Sequence, residues 1–405
     1  MYPNFYHLFE DLFGVQWTGL VFVNTFGFFV AMGFLVANYF MAKELKRKEL
    51  QGLIHGRTSK IELGGPMSIS DIVVNAIVGF LIGWKFVYLM WNSGEFFDDP
   101  QSHILSSEGS VLMGIVVAAI AVGWKWLEVR KMATKYPKKV KVDEVVRPYQ
   151  LMGGVTLVAA VAGFIGAKLF DHLEHWDQFV QNPLAAFLDP FSGLTFYGGL
   201  IMGGAAVLWF SQKNGVHWRH MLDVGGPAMM VAYAVGRIGC HMSGDGDWGI
   251  VNTASKPGGF SWLPDWLWSY QYPNNVARIC DPITGARCSD GQEVILSMGV
   301  WPTPIFETIA CTILFVILWQ MRKRISIPGV IFGVYMIFAG LERFFIEKIR
   351  VNIKYHFGAL DITQAELISI AMMLVGVFAI WYFRKNPEVP VLKPKSKVEL
   401  EDSTL

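Results

Sequence analysis

Apolar runs long enough to cross a bilayer recur along the chain, each bounded by charged or turn-forming residues. A membrane helix needs roughly 20 predominantly apolar residues to traverse about 30 Å of hydrocarbon. Nine stretches meet that demand: Trp17–Phe40, Ile72–Trp91, Gly109–Val129, Leu151–His172, Leu194–Ser211, Met221–Met242, Thr303–Met321, Pro328–Ile349 and Gln364–Phe383. The pattern predicts an all-α fold, a polytopic transmembrane helix bundle of about nine spans. Gly225, Gly226, Pro227 and Gly236 interrupt the sixth run. Membrane helices tolerate such residues where neighbouring helices satisfy the freed backbone groups. The first fifteen residues have no basic n-region and no cleavage site, so they are not read as a cleaved signal peptide.

The polar boundaries set an orientation, because cytoplasmic loops carry the excess of Lys and Arg. Loops 41–70, 125–150, 212–220, 321–327 and 384–405 hold 24 basic residues, whereas the opposite side holds 5: Lys256, Arg278, Arg287, Arg350 and Lys354. The N-terminus is therefore expected outside and the C-terminal tail in the cytoplasm. The longest outer segment, Ser243 to Pro302 between spans six and seven, is rich in Trp, Gly and Pro. Sixty residues is long for a structureless connection, so the segment reads as an ordered cap on the outer membrane face. Cys280 and Cys288 lie within it and form a candidate disulfide in an oxidising outer compartment. Cys240 and Cys311 fall in spans, where a cysteine reads as a small buried residue.

Composition sharpens this picture. Of 405 residues, 53% are hydrophobic and 17% charged, against about 25% charged in a typical soluble domain. A soluble enzyme and a disordered chain are both excluded. The 30 Phe, 15 Trp and 13 Tyr suit a protein that meets lipid and its interfaces. A formal net charge of +1 excludes a nucleic-acid partner held by bulk charge.

The chain also repeats itself at an offset of 83 to 84 residues. Gly79-Phe80-Leu81-Ile82-Gly83-Trp84-Lys85 resembles Gly163-Phe164-Ile165-Gly166-Ala167-Lys168 with one residue skipped, and Gly109 and Gly114 fall on Gly193 and Gly198. Each copy is a basic loop, a span, an acidic outer loop and a second span. The expected organisation is an N-terminal segment with the first span (1–40), an extra loop-plus-hairpin unit (41–125), and the second copy with span six (126–242). The cap (243–302), spans seven to nine (303–385) and a cytoplasmic tail (386–405) follow.

Charges inside spans are expensive and point to function. An Arg near mid-membrane costs roughly 2.5–3.5 kcal/mol even on lenient scales. Arg237 stands in Gly236-Arg237-Ile238-Gly239, and Arg343 stands in Leu341-Glu342-Arg343-Phe344-Phe345-Ile346-Glu347. Glu347 is one helical turn beyond Arg343, placed for an i,i+4 pair. Two guanidiniums, each a bidentate donor, suit a phosphodiester, and a phospholipid headgroup is the anion available at that depth. A structural alternative is that the arginines only neutralise carboxylates such as Glu342 or Glu347.

At these residues the sequence resembles the prolipoprotein diacylglyceryl transferase family. The family's Gly-Arg-x-Gly signature is matched by Gly236-Arg237-Ile238-Gly239, continuing to Gly249. Its glycine-rich span opening is matched by Tyr197-Gly198-Gly199-Leu200, and its Pro-containing motif ending in Glu by Trp301 through Glu307. Arg343 and Glu347 match its later Arg-x-x-x-Glu, and Gln364 its final Gln. The chain departs from the pattern at Thr18, Tyr197, Cys240, Ser243, Asp245 and Ala339, where the family has Tyr, His, Asn, Asn, Glu and Tyr.

The resemblance implies transfer of the diacylglyceryl group of phosphatidylglycerol to the lipobox Cys thiol of a preprolipoprotein, with release of glycerol phosphate. It implies a multi-pass protein of the bacterial inner membrane whose active site faces the periplasmic leaflet. In this reading Arg237 and Arg343 hold the phosphate, Glu347 orients Arg343, and Tyr197 is a proton-relay candidate. His241, Asp245, Asp247 and Glu347 compete for the proton role. Gly198, Gly199, Gly239 and Gly249 let the lipid, or neighbouring helices, approach closely. No metal-ligand cluster and no phosphate loop stands out, so no cofactor is expected. The competing functions are a membrane transporter, an intramembrane protease built around Ser243, and a non-catalytic phospholipid-binding protein of related fold.

Overall fold

The computed structural model describes residues 1–63, 67–91, 108–135, 140–181, 195–289, 291–352, 354–357 and 360–389. In chain order the helices are α1 (Phe5–Phe13), α2 (Thr25–Leu50), α3 (Ile69–Trp91), α4 (Val111–Lys135), α5 (Met152–Glu174), α6 (Trp176–Gln181), α7 (Phe196–Lys213), α8 (Trp218–Ser243), α9 (Thr303–Met321), α10 (Val330–Glu347) and α11 (Gln364–Lys385). Among the described residues, five stretches are long and apolar enough to cross a membrane, against the nine expected: α2, Val111–Lys131 within α4, Pro148–Glu174, α9 and α11. The chain is a helical membrane protein.

Two features depart from the sequence expectation. The first span, expected over Trp17–Phe40, starts at Thr25, where the Asn24 side chain accepts from Gly27 N, and runs on to Leu50. Its charged end stays helical because Lys, Glu and Arg are good helix formers. Two antiparallel strand pairs also accompany the helices. Strand β1 (Arg57–Leu63) pairs with β2 (Val140–Val146), and β3 (Lys354–Phe357) with β4 (Leu360–Thr363). Short alternating segments such as Val140-Lys141-Val142-Asp143 carry a strand signal that a search for long apolar runs passes over.

The chain divides into two compact units. The first comprises Met1–His55, Pro148–Leu157 and Val207–Lys393. Here α2 lies tightly along α8: a Cβ on Gly33 would stand 3.0 Å from the Ala232 carbonyl oxygen, and one on Gly239 would stand 2.9 Å from Phe29 Cβ. Pro227 sits inside α8 without ending it, and the helix runs unbroken for 26 residues. The core of this unit continues through Met230, Ala234, Cys311, Phe315 and Leu318. Residues 244–302 form a largely non-helical layer with a core of their own, built on Trp248, Tyr272, Leu296 and Val300. Cys280 and Cys288 are disulfide-bonded there, and Cys240 and Cys311 are free and buried.

The second unit, Gly56–Arg147 with Val158–Ala206, contains the two copies of the repeat. Each is a helical hairpin closed by a corresponding backbone hydrogen bond: Ser110 N to Trp84 O at 2.9 Å in one, Thr195 N to Ala167 O at 3.1 Å in the other. A Cβ on Gly83 would strike Met113 and Val117, and one on Gly166 would strike Gly198 and Met202. The shared glycines thus set the separation of the paired helices.

Candidate functional site

The last turns of α8 put Tyr233, Arg237 and Cys240 on one helix face. Gly244, in the left-handed region at φ 65°, caps the helix, its N–H bonded to the Cys240 carbonyl. The chain then turns back so that Asp247 meets Arg237. Three further segments are tied together beside it. Gly249 N donates to Trp301 O at 2.8 Å, Trp301 N to Ile250 O at 3.1 Å, and Ile250 N to Ile349 O at 2.8 Å. Gly249 permits this convergence, because a Cβ there would lie 2.5 Å from the Ile349 carbonyl oxygen and 2.8 Å from Trp301 Cβ. Thr303 at the start of α9 donates its hydroxyl to the Asp247 carbonyl at 2.8 Å.

The result is a frame of alternating charge in which the Arg237, Glu307 and Arg350 side chains are at most 10% exposed and that of Asp247 is 37% exposed. Arg237 ion-pairs with both Asp247 and Glu307. Its Nε donates to the Tyr233 hydroxyl at 3.0 Å, which in turn donates to Glu307 Oε2 at 2.8 Å. Arg350 closes the ring, with Nη2 2.6 Å from Asp247 Oδ1 and Nη1 3.3 Å from Glu307 Oε1. The Glu307 side chain is 0% exposed and that of Arg237 8%. Burial tends to raise the Asp247 carboxyl, but Arg237 and Arg350 outweigh it and hold the group below its ordinary value.

Arg343 is different. Its side chain is 29% exposed, and Glu347 is its one ion-pair partner among the described residues, Nη2 to Oε2 at 3.1 Å. Glu347 is anchored from its other oxygen by Asn352 Nδ2 at 2.6 Å. Most of the five N–H donors of the Arg343 guanidinium thus remain uncommitted. The pairing at i,i+4 is the one the spacing suggests; Glu342, the other neutralising candidate, makes no ion pair among the described residues.

The remaining candidates fall as follows. His241 meets the Tyr272 hydroxyl at 3.1 Å beneath the 244–302 layer. Asp245 accepts from Asp247 N at 3.2 Å. Cys240, Asp245 and Asp247 place one ligand atom each within 4.8 Å of one another, and the arginine pairs already engage Asp247. Tyr197 opens α7 in the second unit with an exposed ring. Of the four glycines proposed to admit lipid, Gly198 and Gly199 face Gly166 and Gly163 within the hairpin, Gly239 faces α2, and Gly249 faces Trp301 and Ile349. All four are in close contact with protein.

Sequence reasoning missed Arg350, which it counted among the outer charges, and gave no role to Tyr233 or to Glu307, quoted only as the end of a motif. Tyr233 stands four residues before Arg237, a spacing that could have revealed it; the partnerships of Arg350 are long-range and leave no local signal.

Comparison with known proteins converges on the same region. The family model for prolipoprotein diacylglyceryl transferase matches residues 113–382. A phosphatidylglycerol–prolipoprotein diacylglyceryl transferase of Enterococcus faecalis is 27% identical over 230 residues, 56% of this chain and 73% of that protein. Another from Streptococcus mutans is 26% identical over 257 residues, 63% of this chain and 85% of the relative. One from Leptospira interrogans is 24% identical and covers 92% of both chains. That coverage leaves too little sequence outside the match to omit the 41–125 unit.

Proposed function

The chain belongs to the prolipoprotein diacylglyceryl transferase family, and from that membership we propose that it transfers the diacylglyceryl group of phosphatidylglycerol to a prolipoprotein. It is a membrane-embedded transferase of lipoprotein biosynthesis. The acceptor is the lipobox cysteine of the signal peptide. Its sulfur bonds to the glyceryl carbon that carries the phosphate ester; the C–O bond breaks and glycerol phosphate leaves. In this reading the chain has nine spans with its N-terminus outside and its tail in the cytoplasm, and the chemistry occurs at the periplasmic leaflet of a bacterial inner membrane. The 24-to-5 split of basic residues supports that orientation.

The observation that carries the site reading is the contrast between two arginines. Arg237 is paired with two carboxylates, Asp247 and Glu307, whereas Arg343 has one carboxylate and an exposed edge. Arg343 is therefore the arm that grips the lipid phosphate, and Glu347 sets its direction. A fixed guanidinium stabilises the phosphate oxygen as the ester bond breaks. Arg237 and Arg350 hold the 244–302 layer to α9 through Asp247 and Glu307, and so serve the phosphate by fixing its surroundings. Gly198, Gly199, Gly239 and Gly249 act by helix and cap packing.

The test is direct. Purified full-length chain, phosphatidylglycerol vesicles and a lipobox peptide are mixed, and the peptide is weighed. A mass gain of one diacylglyceryl group on Cys is expected. An unmodified peptide beside folded protein would refute the reading, and solute counterflow without lipid consumption would favour a transporter.

A further inference from the structure

The transfer requires a thiol to lose its proton, since thiolate is the nucleophile. We propose that Glu342 accepts that proton and hands it to the departing glycerol phosphate. The proposal rests on the transferase reading above and assigns a residue to a step that reading leaves open.

Besides the exposed Asp245, four carboxylates gather at this end of the first unit. Asp247 and Glu307 are each held by two guanidiniums, and Glu347 by Arg343 and Asn352. Protonating any of these three would break an ion pair already made. Glu342 lies on α10 beside Arg343 and is 9% exposed. It makes no hydrogen bond or ion pair among the described residues, and its Oε1 is sealed from solvent without a donor. A buried polar group left without a partner needs an explanation, and a substrate-borne proton supplies one.

The charged and titratable groups that face Glu342 come from each neighbouring element. They are Glu307 and Cys311 of α9, Tyr233 and Arg237 of α8, Arg343 of its own helix, and Arg350 beyond it. Three guanidiniums match the three paired carboxylates and Asp245 is exposed to solvent, so among the described residues Glu342 is the buried acid whose charge has no counterpart in the cluster. It can therefore gain or lose a proton without dismantling the frame.

The step balances without a further reactant. The thiol proton moves to the Glu342 carboxylate as sulfur bonds to the glyceryl carbon. The C–O bond breaks with its electron pair on the phosphate oxygen, and Glu342 returns the proton to that oxygen. As the leaving phosphate gains one negative charge, Glu342 has lost one, so the total charge before Arg343 stays constant through the reaction.

Glu342→Gln keeps the size of the side chain and removes the acceptor. With full-length protein, phosphatidylglycerol and lipobox peptide between about pH 5 and about pH 9, its rate at saturating substrate should fall about 100-fold or more. Its KM for phosphatidylglycerol and its thermal melting should stay near wild type. The acid limb of the wild-type rate profile should vanish in Glu342→Gln, and Glu342→Asp should keep an intermediate rate with that limb intact. A Glu342→Gln protein with the wild-type rate and profile would overturn the proposal. So would a loss explained wholly by failed folding or lipid binding while Glu342→Asp behaves in the same way, or a Tyr197→Phe variant that alone abolishes the limb. Inactive wild-type protein would instead refute the transferase reading before any variant is compared.

Discussion

Helix α8 carries a buried ionic cluster at each end, and the two are built differently. Near its start, Asp223 accepts Gly329 N at 2.9 Å and Phe332 N at 3.1 Å and pairs with Lys48 at 3.5 Å. Beside it Glu44 takes Arg47 twice and Arg322 Nη1 at 2.8 Å. Each acid there is enclosed by at least three donors, and the side chains of Lys48 and Arg322 are 7% exposed. Near the other end, about 20 Å away along the helix axis, the Arg237 frame is likewise ion-paired, but its Asp247 side chain is 37% exposed and it is joined by a half-open cation and an unpartnered acid. The first cluster ties the helix ends together. The second has the same kind of tie plus two groups, Arg343 and Glu342, that are not fully paired among the described residues. The first cluster also leaves a buried donor unpartnered, Arg322 Nε, so what separates the two ends is the unpaired carboxylate of Glu342 beside a partly exposed guanidinium.

The sharpest way to break this distinction is to remove the open arm. Arg343→Ala should lower diacylglyceryl transfer by about 10²–10³-fold, the range for losing one transition-state donor. Melting should fall too, because the Glu347 side chain is 1% exposed and loses its ion pair, so the rate is normalised to the folded fraction. Arg343→Lys should recover only part of the rate, since a single ammonium lacks the planar fork. Peptide mass spectrometry reads both. Wild-type rate in Arg343→Ala would erase the difference between the two ends.

A smaller loss is expected from loosening the frame. Asp247→Asn removes the charge that Arg237 and Arg350 share and should slow transfer about tenfold by misplacing the cap segment. The wild-type pH dependence has a definite sign. The Asp247 carboxyl sits below its ordinary 3.8 in the folded protein, although burial opposes this, because of the two arginines. Its stabilising contribution is complete above that ordinary value and is lost as pH falls through the lower folded value. Protease protection of residues 244–302 should therefore survive acidification to about pH 4 in wild type, and the further acid loss should be blunted in Asp247→Asn.

Much of this architecture can be read from local pattern. The apolar runs mark the helices because membrane burial demands length and continuity, and Arg343 with Glu347 follows from helical spacing. The glycines of the two hairpins lie at close helix contacts, Gly83 against Met113 and Gly166 against Gly198. What stays hidden is long-range. Arg350 reaches Asp247 across 103 positions and Glu307 across 43, and nothing near Arg350 in the chain announces either. Strands β1 and β2 pair across the whole first hairpin. The double pairing of Arg237 is equally invisible, because Asp247 stands ten residues away past a left-handed turn at Gly244. Local spacing identified which arginines are unusual; only the fold could show that one is occupied and the other open.

The smallest effect on transfer should come from the closed cluster. Glu44→Gln leaves Arg47 and Arg322 without their shared carboxylate in a buried setting, and breaking a buried pair from one side costs about 3 kcal/mol or more. Melting temperature should drop clearly. The rate per folded molecule should remain within about twofold of wild type, because the Glu44 cluster lies at the opposite end of α8 and makes no contact with Arg343 or Glu342 among the described residues. The informative measurement pairs the two readouts on one sample: folded fraction by melting, and turnover normalised to it. A stability loss with normal turnover would keep the two ends separate in function. A turnover loss at full folded fraction would mean that strain at the closed cluster reaches the open one along α8, and the helix would have to be treated as a coupling element between them.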